Sequence, residues 1–364
     1  MRIVHVISRY NVGGTAKWLR VLVDGLIEQG HDVSLIIGDT SGDEKEDINL
    51  PNCQIIRIPG LGKSASFLKT ISAFFKLKSV ISELHPEIIN SHTSKAGVLV
   101  RILRFFHTTH EVRYVHTYHG HLLYGYFNPI IVRLIILIEN MLSGKSFSLI
   151  SAGQKVKDDL IAAGIGTHTK FEVIPFGMSD MQFLSRSECR KNLGLSQDQF
   201  VVGWLGRMAP IKRPDVLLEI ARYFPNIQFL LGGDGELMDE VLHNRTLNVQ
   251  VIGWTSPESF WPACDLAILT SDNEAMPISL LEAGLCGLPV AASRVGSIED
   301  LITNTESGFL CETVPEFVAS IKLLVDDLDL RMRIAQKFNR DIKDNYGTAR
   351  FVNRHIIFYE SLID

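Results

Sequence analysis

Hydrophobic positions along the chain follow two periods in turn. Short runs rich in Val, Ile, Leu and Phe, "RIVHVIS", "DVSLIIG", "CQIIRI", "EIINSH", "RYVHTYH" and "FSLISA", read as strands. Between them lie segments such as "TAKWLRVLVDGLIEQG", whose apolar residues recur every three or four positions, as on one face of a helix. This alternation predicts a parallel sheet with helices on both faces. The pattern breaks at "VIPFGMSDMQF", where Pro175 and Gly177 interrupt it, and a second alternation runs through "FVVGWLG", "IQFLLGG", "VQVIG", "CDLAILT" and "LPVAAS". We therefore expect an α/β protein of two doubly wound domains, residues 1–178 and 179–347, followed by a helix over 348–364 whose owner the pattern leaves open. Folds of this kind bind ligands beyond the carboxyl ends of their strands, in the cleft such domains leave, so chemistry is expected in the loops that follow strands.

Composition changes little in this picture. With 364 residues the chain exceeds one ordinary core, and 46% hydrophobic and 21% charged residues with net charge -5 describe a globular protein without a nucleic-acid-binding balance. The five cysteines (Cys53, Cys189, Cys264, Cys286 and Cys311) are scattered and form no C-x-x-C pair, which points to reduced thiols and a cytoplasmic setting. "MRIVHVISRY" enters a strand at once, without the pattern of a signal peptide. The most apolar run, Ile130 to Leu142, holds Arg133 and Glu139 and is too short to span a bilayer, so it reads as a buried helix.

Charge is uneven, however. Residues 61 to 110 carry seven Lys or Arg (Lys63, Lys69, Lys76, Lys78, Lys95, Arg101 and Arg104) against two Glu (Glu83 and Glu87), a local +5 interleaved with Phe67, Leu68, Ile71, Phe74, Phe75 and Leu77. Such a segment suits either a solvated helix face or a peripheral contact with the anionic inner face of a membrane.

Four loops after predicted strands hold candidate chemistry. Gly13-Gly14 in "SRYNVGGTAKWL" would let a phosphate approach a helix N-terminus or would simply make a turn, and G-x-G-x-x-G is absent. In "GRMAPIKRPDVLLE", Arg207 and Lys212 suit a diphosphate, with Arg213 able to compete for either role. "LLGGDGEL" sets Asp234 between Gly233 and Gly235. "VHTYHGHLLYG" brings His116, His119 and His121, with Gly120 and Gly125, to a strand end, where a histidine can donate to a substrate oxygen or carry a proton. No metal site is expected, because neither H-E-x-x-H nor paired cysteines accompany these histidines, and the D-x-D pair at Asp327 and Asp329 lies in a helical surface pattern.

The stretch "SDNEAMPISLLEAGLCGLPV" raises a geometric question, because Glu274 and Glu282 stand eight residues apart around Pro277. In one continuous helix their backbones would be about 12 Å and about 80° apart. Proline is tolerated at the first helical position and biases the preceding residue away from helical angles. We therefore expect Glu274 on a loop and Glu282 within a helix from about Pro277 to Gly287, with an uncapped N-terminus between them that an anion would fill.

Taken in order, "GRMAPIKRP", "GGDGEL", "VIGWTS", "EAMPISLLEAGLCGLPVAAS" and "ESGFL" resemble the donor-binding half of the retaining glycosyltransferases of family 4. "NVGGTAKWL", "VHTYHGH", "LISAGQKVKDDLIAAGI" and "FEVIPFGM" extend the resemblance nearly end to end. It implies the GT-B fold of two Rossmann-like domains, with a nucleotide-sugar donor, bound as a substrate without metal or other cofactor, held mainly by the second domain. The implied acceptor is a hydroxyl of a glycan or lipid-linked molecule, as in cell-surface polysaccharide synthesis. By the same resemblance Arg207 and Lys212 bind the diphosphate, Gly13 and Gly14 close on it, and Gly233 and Asp234 join the donor site. Ile252 lies near the base and Glu282 holds the ribose. Glu274, with the backbone of Met276, Pro277 and Ile278, holds the transferred sugar and the phosphate, while His119 contacts the sugar. Where the family often has Gly or Ser after the first glutamate, this chain has Ala275, which leaves the sugar open. A nucleotide-sugar epimerase of the same fold would share the phosphate loops. A non-catalytic binding protein needs neither Glu274 nor His119, and an NAD-dependent oxidoreductase leaves the loops of the second domain unexplained.

Overall fold

The computed structural model describes residues 1–40, 45–62, 66–106, 112–120, 123, 128–144 and 147–363. Lys63, His121 and Gly125, named above, lie outside them. The chain forms two compact units, one of Met1–Leu123, Phe127–Gly177 and Thr348–Asp364, the other built on Met178–Gly347.

The first unit is built on strands β1 (Arg2–Ile7), β2 (Asp32–Ile37), β3 (Gln54–Arg57), β4 (Ile88–His92), β5 (Arg113–Tyr118), β6 (Phe147–Ser151) and β7 (Phe171–Val173). They pair in parallel in the order β3-β2-β1-β4-β5-β6-β7. Its helices are α1 (Gly14–Glu28), α2 (Phe67–Leu84), α3 (Ser94–Leu103), α4 (Pro129–Leu142) and α5 (Gln154–Ala162). The second unit carries β8 (Val201–Leu205), β9 (Gln228–Gly232), β10 (Val249–Val251), β11 (Leu266–Leu269), β12 (Val290–Ser293) and β13 (Phe309–Cys311), all parallel, in the order β10-β9-β8-β11-β12-β13. Around this sheet stand α6 (Arg186–Asn192), α7 (Pro214–Arg222), α8 (Met238–Asn244), α9 (Pro257–Phe260), α10 (Ile278–Leu285), α11 (Val314–Asp326) and α12 (Leu328–Asn345).

Each strand named from the hydrophobic pattern is present. The two that the pattern does not name, β7 and β13, are three-residue edge strands, too short to set up a period of their own. In both sheets the order reverses beside the first strand of the unit, between β1 and β4 and between β8 and β11. These are the switch points at which open parallel sheets bind ligands.

The last helix, α13 (Thr348–Ile363), belongs to the first unit, where it packs on α1. Phe351 meets Trp18 edge-on with ring centroids 5.0 Å apart, and the Tyr359 hydroxyl accepts from Asn90 Nδ2 on β4 at 2.7 Å. A Cβ on Gly25 would come within 2.3 Å of Val352, so the two helices approach too closely for any other residue there.

Two expectations about the first unit need correction. Helix α4 is not buried: Ile130, Leu134, Leu137 and Met141 form one exposed stripe, and only Glu139 and Leu142 lie inside. Apolar residues run round most of this helix, with Ile135 and Ile138 half-buried and Leu142 buried on its inward side, so its hydrophobic pattern exceeds what the unit covers and the outer stripe stays exposed. Nor is the basic segment all surface charge. The Lys95 ammonium donates to the Gly60 and Gly62 carbonyls, and Arg101 is wholly buried, forked onto Glu139 at 2.7 and 3.0 Å. Lys69 and Lys76 remain exposed on α2 beside exposed Phe67, Leu68 and Phe75.

The Arg101–Glu139 pair, joined by the Tyr118 hydroxyl donating to Glu139 at 2.6 Å, ties α3 to α4 and β5. Removing one member strands a buried charge. Glu139→Ala is expected to cost about 3–5 kcal/mol in urea unfolding, whereas Arg101→Met with Glu139→Leu should return most of it.

Candidate functional site

In the second unit the loops after β8, β9 and β11 are sewn together by backbone contacts. The Met208 N–H donates to Asp234 O at 2.9 Å and the Asp272 N–H to Ile211 O at 2.9 Å. Gly233 (φ +128°) and Gly235 (φ +155°) are required here: a Cβ on Gly233 would stand 1.8 Å from Gly206 O, and one on Gly235 2.5 Å from Met208 O. The Gly233 N–H reaches Gly253 O at 2.6 Å, which sets Ile252 next to the same turn. The Asp234 carboxylate accepts from the Gly235 N–H at 2.7 Å and is otherwise exposed, so this side chain shapes the loop.

The cations of the β8 loop take separate paths. Arg213, in a left-handed conformation at φ +49°, is taken by Asp215 at 2.8 Å and Asp272 at 3.0 Å and so does not compete for an anion. Arg207 is exposed and its side chain makes no ion pair with any described residue. Lys212 pairs with Glu274, bringing together two residues 62 apart in sequence. Thr270 fixes the turn beneath them, its hydroxyl bonded to Lys212 O at 3.0 Å and Arg213 O at 2.9 Å while Trp204 Nε1 donates to it at 3.2 Å.

Glu274 is buried at 8% exposure, and Ser271 Oγ donates to its Oε1 at 2.7 Å. Its carbonyl accepts from the Ser297 N–H at 3.1 Å, and a Cβ on Gly296 would lie 1.7 Å from that carbonyl. The turn after β12 therefore clamps the backbone of Glu274. Pro277 is the cap of α10 rather than its first residue, and the helix is shorter than expected, ending at Leu285. No side chain caps α10, and the N–H groups of Ile278 and Ser279 have no backbone acceptor among the described residues. Met276 and Ile278 are half-buried beside this N-terminus, and Glu282, one turn into the helix, is buried. Glu274 thus lies on a loop and Glu282 in a helix, as the proline implied, with uncapped N–H groups between them.

The first unit offers a pocket of about 120 Å³ at its own switch point, lined among others by Thr15 of α1, Thr93 and Ser94 at the start of α3, His119, and Glu139. Gly13 caps α1 with no side-chain bond and Gly14 opens it, both exposed. Thr93 holds a strained φ of +69°, steadied by its hydroxyl contact to Ser8 Oγ at 2.7 Å. His119 is half-buried, its Nε2 3.0 Å from His92 Nδ1, and burial followed by the field of His355 pushes its pKa down to about 3. It is a neutral imidazole at physiological pH. His116 is fully turned inward, with Nδ1 2.9 Å from Ser91 Oγ.

Ser271, Thr270, Gly296, His5 and His92 act in these sites without having been named from sequence. Ser271, three residues before Glu274, and His92, closing β4, had local signals, whereas Gly296 is brought to Glu274 by the fold of the β12 turn. Among the described residues no group of three or more His, Cys, Asp or Glu is placed to hold a metal ion, and Asp327 caps α12 through its bond from the Leu330 N–H at 2.9 Å.

Comparison with known proteins adds the family. Residues 12–180 match Glycosyltransferase Family 4, and residues 185–340 match Glycosyl transferases group 1. A UDP-Gal:alpha-D-GlcNAc-diphosphoundecaprenol alpha-1,3-galactosyltransferase from Escherichia coli is 27% identical over 82% of this chain and 81% of its own. Among solved structures, sucrose-phosphate synthase from Thermosynechococcus elongatus superposes with TM-score 0.86 at 18% identity, covering 100% of this chain and 99% of that one. HepE from Anabaena in complex with UDP and glucose gives 0.84 at 19% identity, covering 99% and 100%. Two parallel switch-point sheets, the GT-B architecture of these neighbours and family matches over both halves lead to one conclusion: the chain belongs to glycosyltransferase family 4 and is a glycosyltransferase.

Proposed function

We propose that this enzyme moves a sugar from a nucleoside-diphosphate sugar, with UDP favoured, to a hydroxyl of a glycan or lipid-linked acceptor, with retention at the anomeric carbon. The observation that carries the reading is the arrangement around α10. Lys212 and Glu274 are paired at its N-terminus, Ser271 orients the carboxylate, Arg207 stands unpaired by any described residue on the same β8 loop, and the Ile278 and Ser279 N–H groups await an acceptor. A diphosphate supplies that acceptor and meets the two cations, while Glu274 and the backbone of Met276 to Ile278 face the sugar. Gly233, Asp234 and Ile252 border the nucleoside, with Glu282 assigned to the ribose. From the first unit, Gly13 and Gly14 are assigned to the diphosphate and His119 to the sugar.

In the transfer, the bond from the anomeric carbon to the diphosphate oxygen breaks, the acceptor oxygen bonds to that carbon on the same face, and the acceptor proton passes to the departing phosphate. Arg207, Lys212 and the α10 N–H groups stabilise the charge that grows on the leaving group, so the reading assigns no metal to this step. The UDP preference draws on the UDP named for the HepE complex and for the galactosyltransferase relative. The lipid-linked acceptor draws on the latter's diphosphoundecaprenol substrate and on the exposed apolar residues of α2 and α4. No helix among the described residues is long and apolar enough to cross a membrane. The exposed lysines and phenylalanines of α2 support the reading of a peripheral contact, which we assign to the anionic cytoplasmic face.

Lys212→Ala and Arg207→Ala are each expected to lower turnover by about 100-fold or more with a UDP-sugar donor; near-normal turnover in either removes that residue from the mechanism. A thermal-shift panel of UDP-, GDP- and ADP-sugars should show UDP-sugars stabilising most, and activity should survive exhaustive chelation. Co-sedimentation with vesicles containing anionic lipid should fall as salt rises and fall further in Lys69→Glu/Lys76→Glu, whereas binding indifferent to both contradicts the peripheral contact.

A further inference from the structure

Behind His119 runs a file of imidazoles that the transfer chemistry above does not use. His119 Nε2 lies 3.0 Å from His92 Nδ1, and His92 Nε2 lies 2.9 Å from His5 Nδ1, so three rings, one just past the end of β5 and the others on β4 and β1, are joined end to end. His5 and His92 are at 0% exposure and lie with centroids 5.2 Å apart and planes inclined by 28°, while the Trp18 indole walls the file, edge-on to His119 at 4.6 Å. Burial pushes His5 down to about 3 and His92 well below its ordinary range, so all three rings are neutral at physiological pH.

A neutral imidazole has one N–H and one lone pair. Each of the two contacts is of hydrogen-bond length and takes one proton, so the file has only two polarities. In one, His5 Nδ1–H donates to His92 Nε2 and His92 Nδ1–H donates to His119 Nε2. In the other both bonds reverse. They differ at the two ends, and the inner end decides between them: His5 Nε2 is buried with no hydrogen-bond partner. The reversed polarity would leave an N–H there with nothing to accept it, and orphaned buried N–H groups are the rarer case. The outward polarity leaves a bare lone pair. The same core holds such a lone pair at His355, whose Nδ1, 2.9 Å from Phe351 O, donates to that carbonyl and leaves Nε2 without a partner. It also holds the Trp18 indole N–H without one, so the choice at His5 rests on the higher general cost of orphaning a donor.

We infer that His92, backed by His5, is a positioning residue that holds His119 in its Nδ1–H form, so that His119 presents a hydrogen-bond donor, and not a base, to an oxygen of the bound sugar. The inference rests on the proposed function for the identity of that ligand, and on the geometry of the first unit alone for the tautomer. His119 Nδ1 has no partner among the described residues, and its ring lines the pocket at the switch point. A donor there selects a ligand oxygen as partner and leaves no basic nitrogen to take the acceptor proton, in keeping with a proton that leaves on the phosphate.

The test is long-range ¹⁵N–¹H NMR on the full chain labelled at histidine, with His119 assigned by comparison with His119→Ala. His119 should carry its proton on Nδ1 with Nε2 bare, in the free enzyme and without substrate. His92→Asn, which keeps an amide donor at the position of Nδ1, should preserve that signature and keep kcat/KM for the donor sugar within about threefold, whereas His92→Leu should release His119 toward a mixture of tautomers and lower kcat/KM about tenfold, the scale of one ligand hydrogen bond. A wild-type His119 protonated on Nε2 overturns the inference, as does a His92→Leu protein with an unchanged tautomer. The wild-type spectrum decides the matter even if His92→Leu fails to fold. A protein with the expected tautomer that transfers no sugar from any nucleotide donor would instead count against the proposed function and leave the imidazole file standing.

Discussion

A parallel sheet covered by helices on both faces has no side chain to spare for solutes, and both sheets of this protein are built that way. The strands of the first unit present buried residues at nearly every position, as in β1 and β4, and those of the second do the same in β8 and β11. Chemistry is therefore confined to the strand ends, and above all to the two places where the order reverses. At β8 and β11 the reversal lets the Arg207–Lys212 loop and the Ser271–Glu274 loop diverge just enough to leave a helix N-terminus between them. At β1 and β4 it leaves the N-termini of α1 and α3 and the outer ring of the histidine file.

Within that constraint the Lys212–Glu274 pair is what joins the loops after β8 and β11 into the candidate site. Among the described residues the Lys212 ammonium pairs only with the buried Glu274, which holds it in one place, and the proposed diphosphate would take over part of that contact. The pair is supported from three sides: Thr270 grips the backbone of Lys212, Ser271 the carboxylate of Glu274, and the Gly296–Ser297 turn the carbonyl of Glu274. Arg213, equally basic in sequence, is neutralised by two aspartates and plays no such part. Preorganised charges of this kind cost little reorganisation when negative charge develops on a leaving group.

The first unit follows a different principle. Its polar interior is large for a sheet core, with Asn90, Ser91, His92, His116 and Thr117 buried along β4 and β5, and it is kept in order by hydrogen bonds that run to α13 at Tyr359. The C-terminal helix is thus part of the packing that fixes Trp18 and, through it, the imidazole rings. The exposed apolar stripe of α4 and the lysines and phenylalanines of α2 lie on the outside of this same unit, which gives it both a pocket at its switch point and a greasy, basic exterior.

The hydrophobic periods of the sequence determined the two parallel sheets, their strands and the break near Pro175 and Gly177, because burial on both faces writes itself into local runs of Val, Ile and Leu. Pro277 likewise determined that Glu274 sits on a loop and Glu282 in a helix, since a proline restricts its neighbour wherever it stands. Only the tertiary structure decided which charges are free. Lys95 and Arg101 read as surface cations but are held by carbonyls and by Glu139, and the apolar α4 read as buried but turns its stripe outward. The clamp of Gly296 on Glu274 and the file His5–His92–His119 join residues from distant strands, and nothing in the local pattern of one strand records what the next strand places beside it. Periodicity reports how much of a residue is covered; only the fold decides by what.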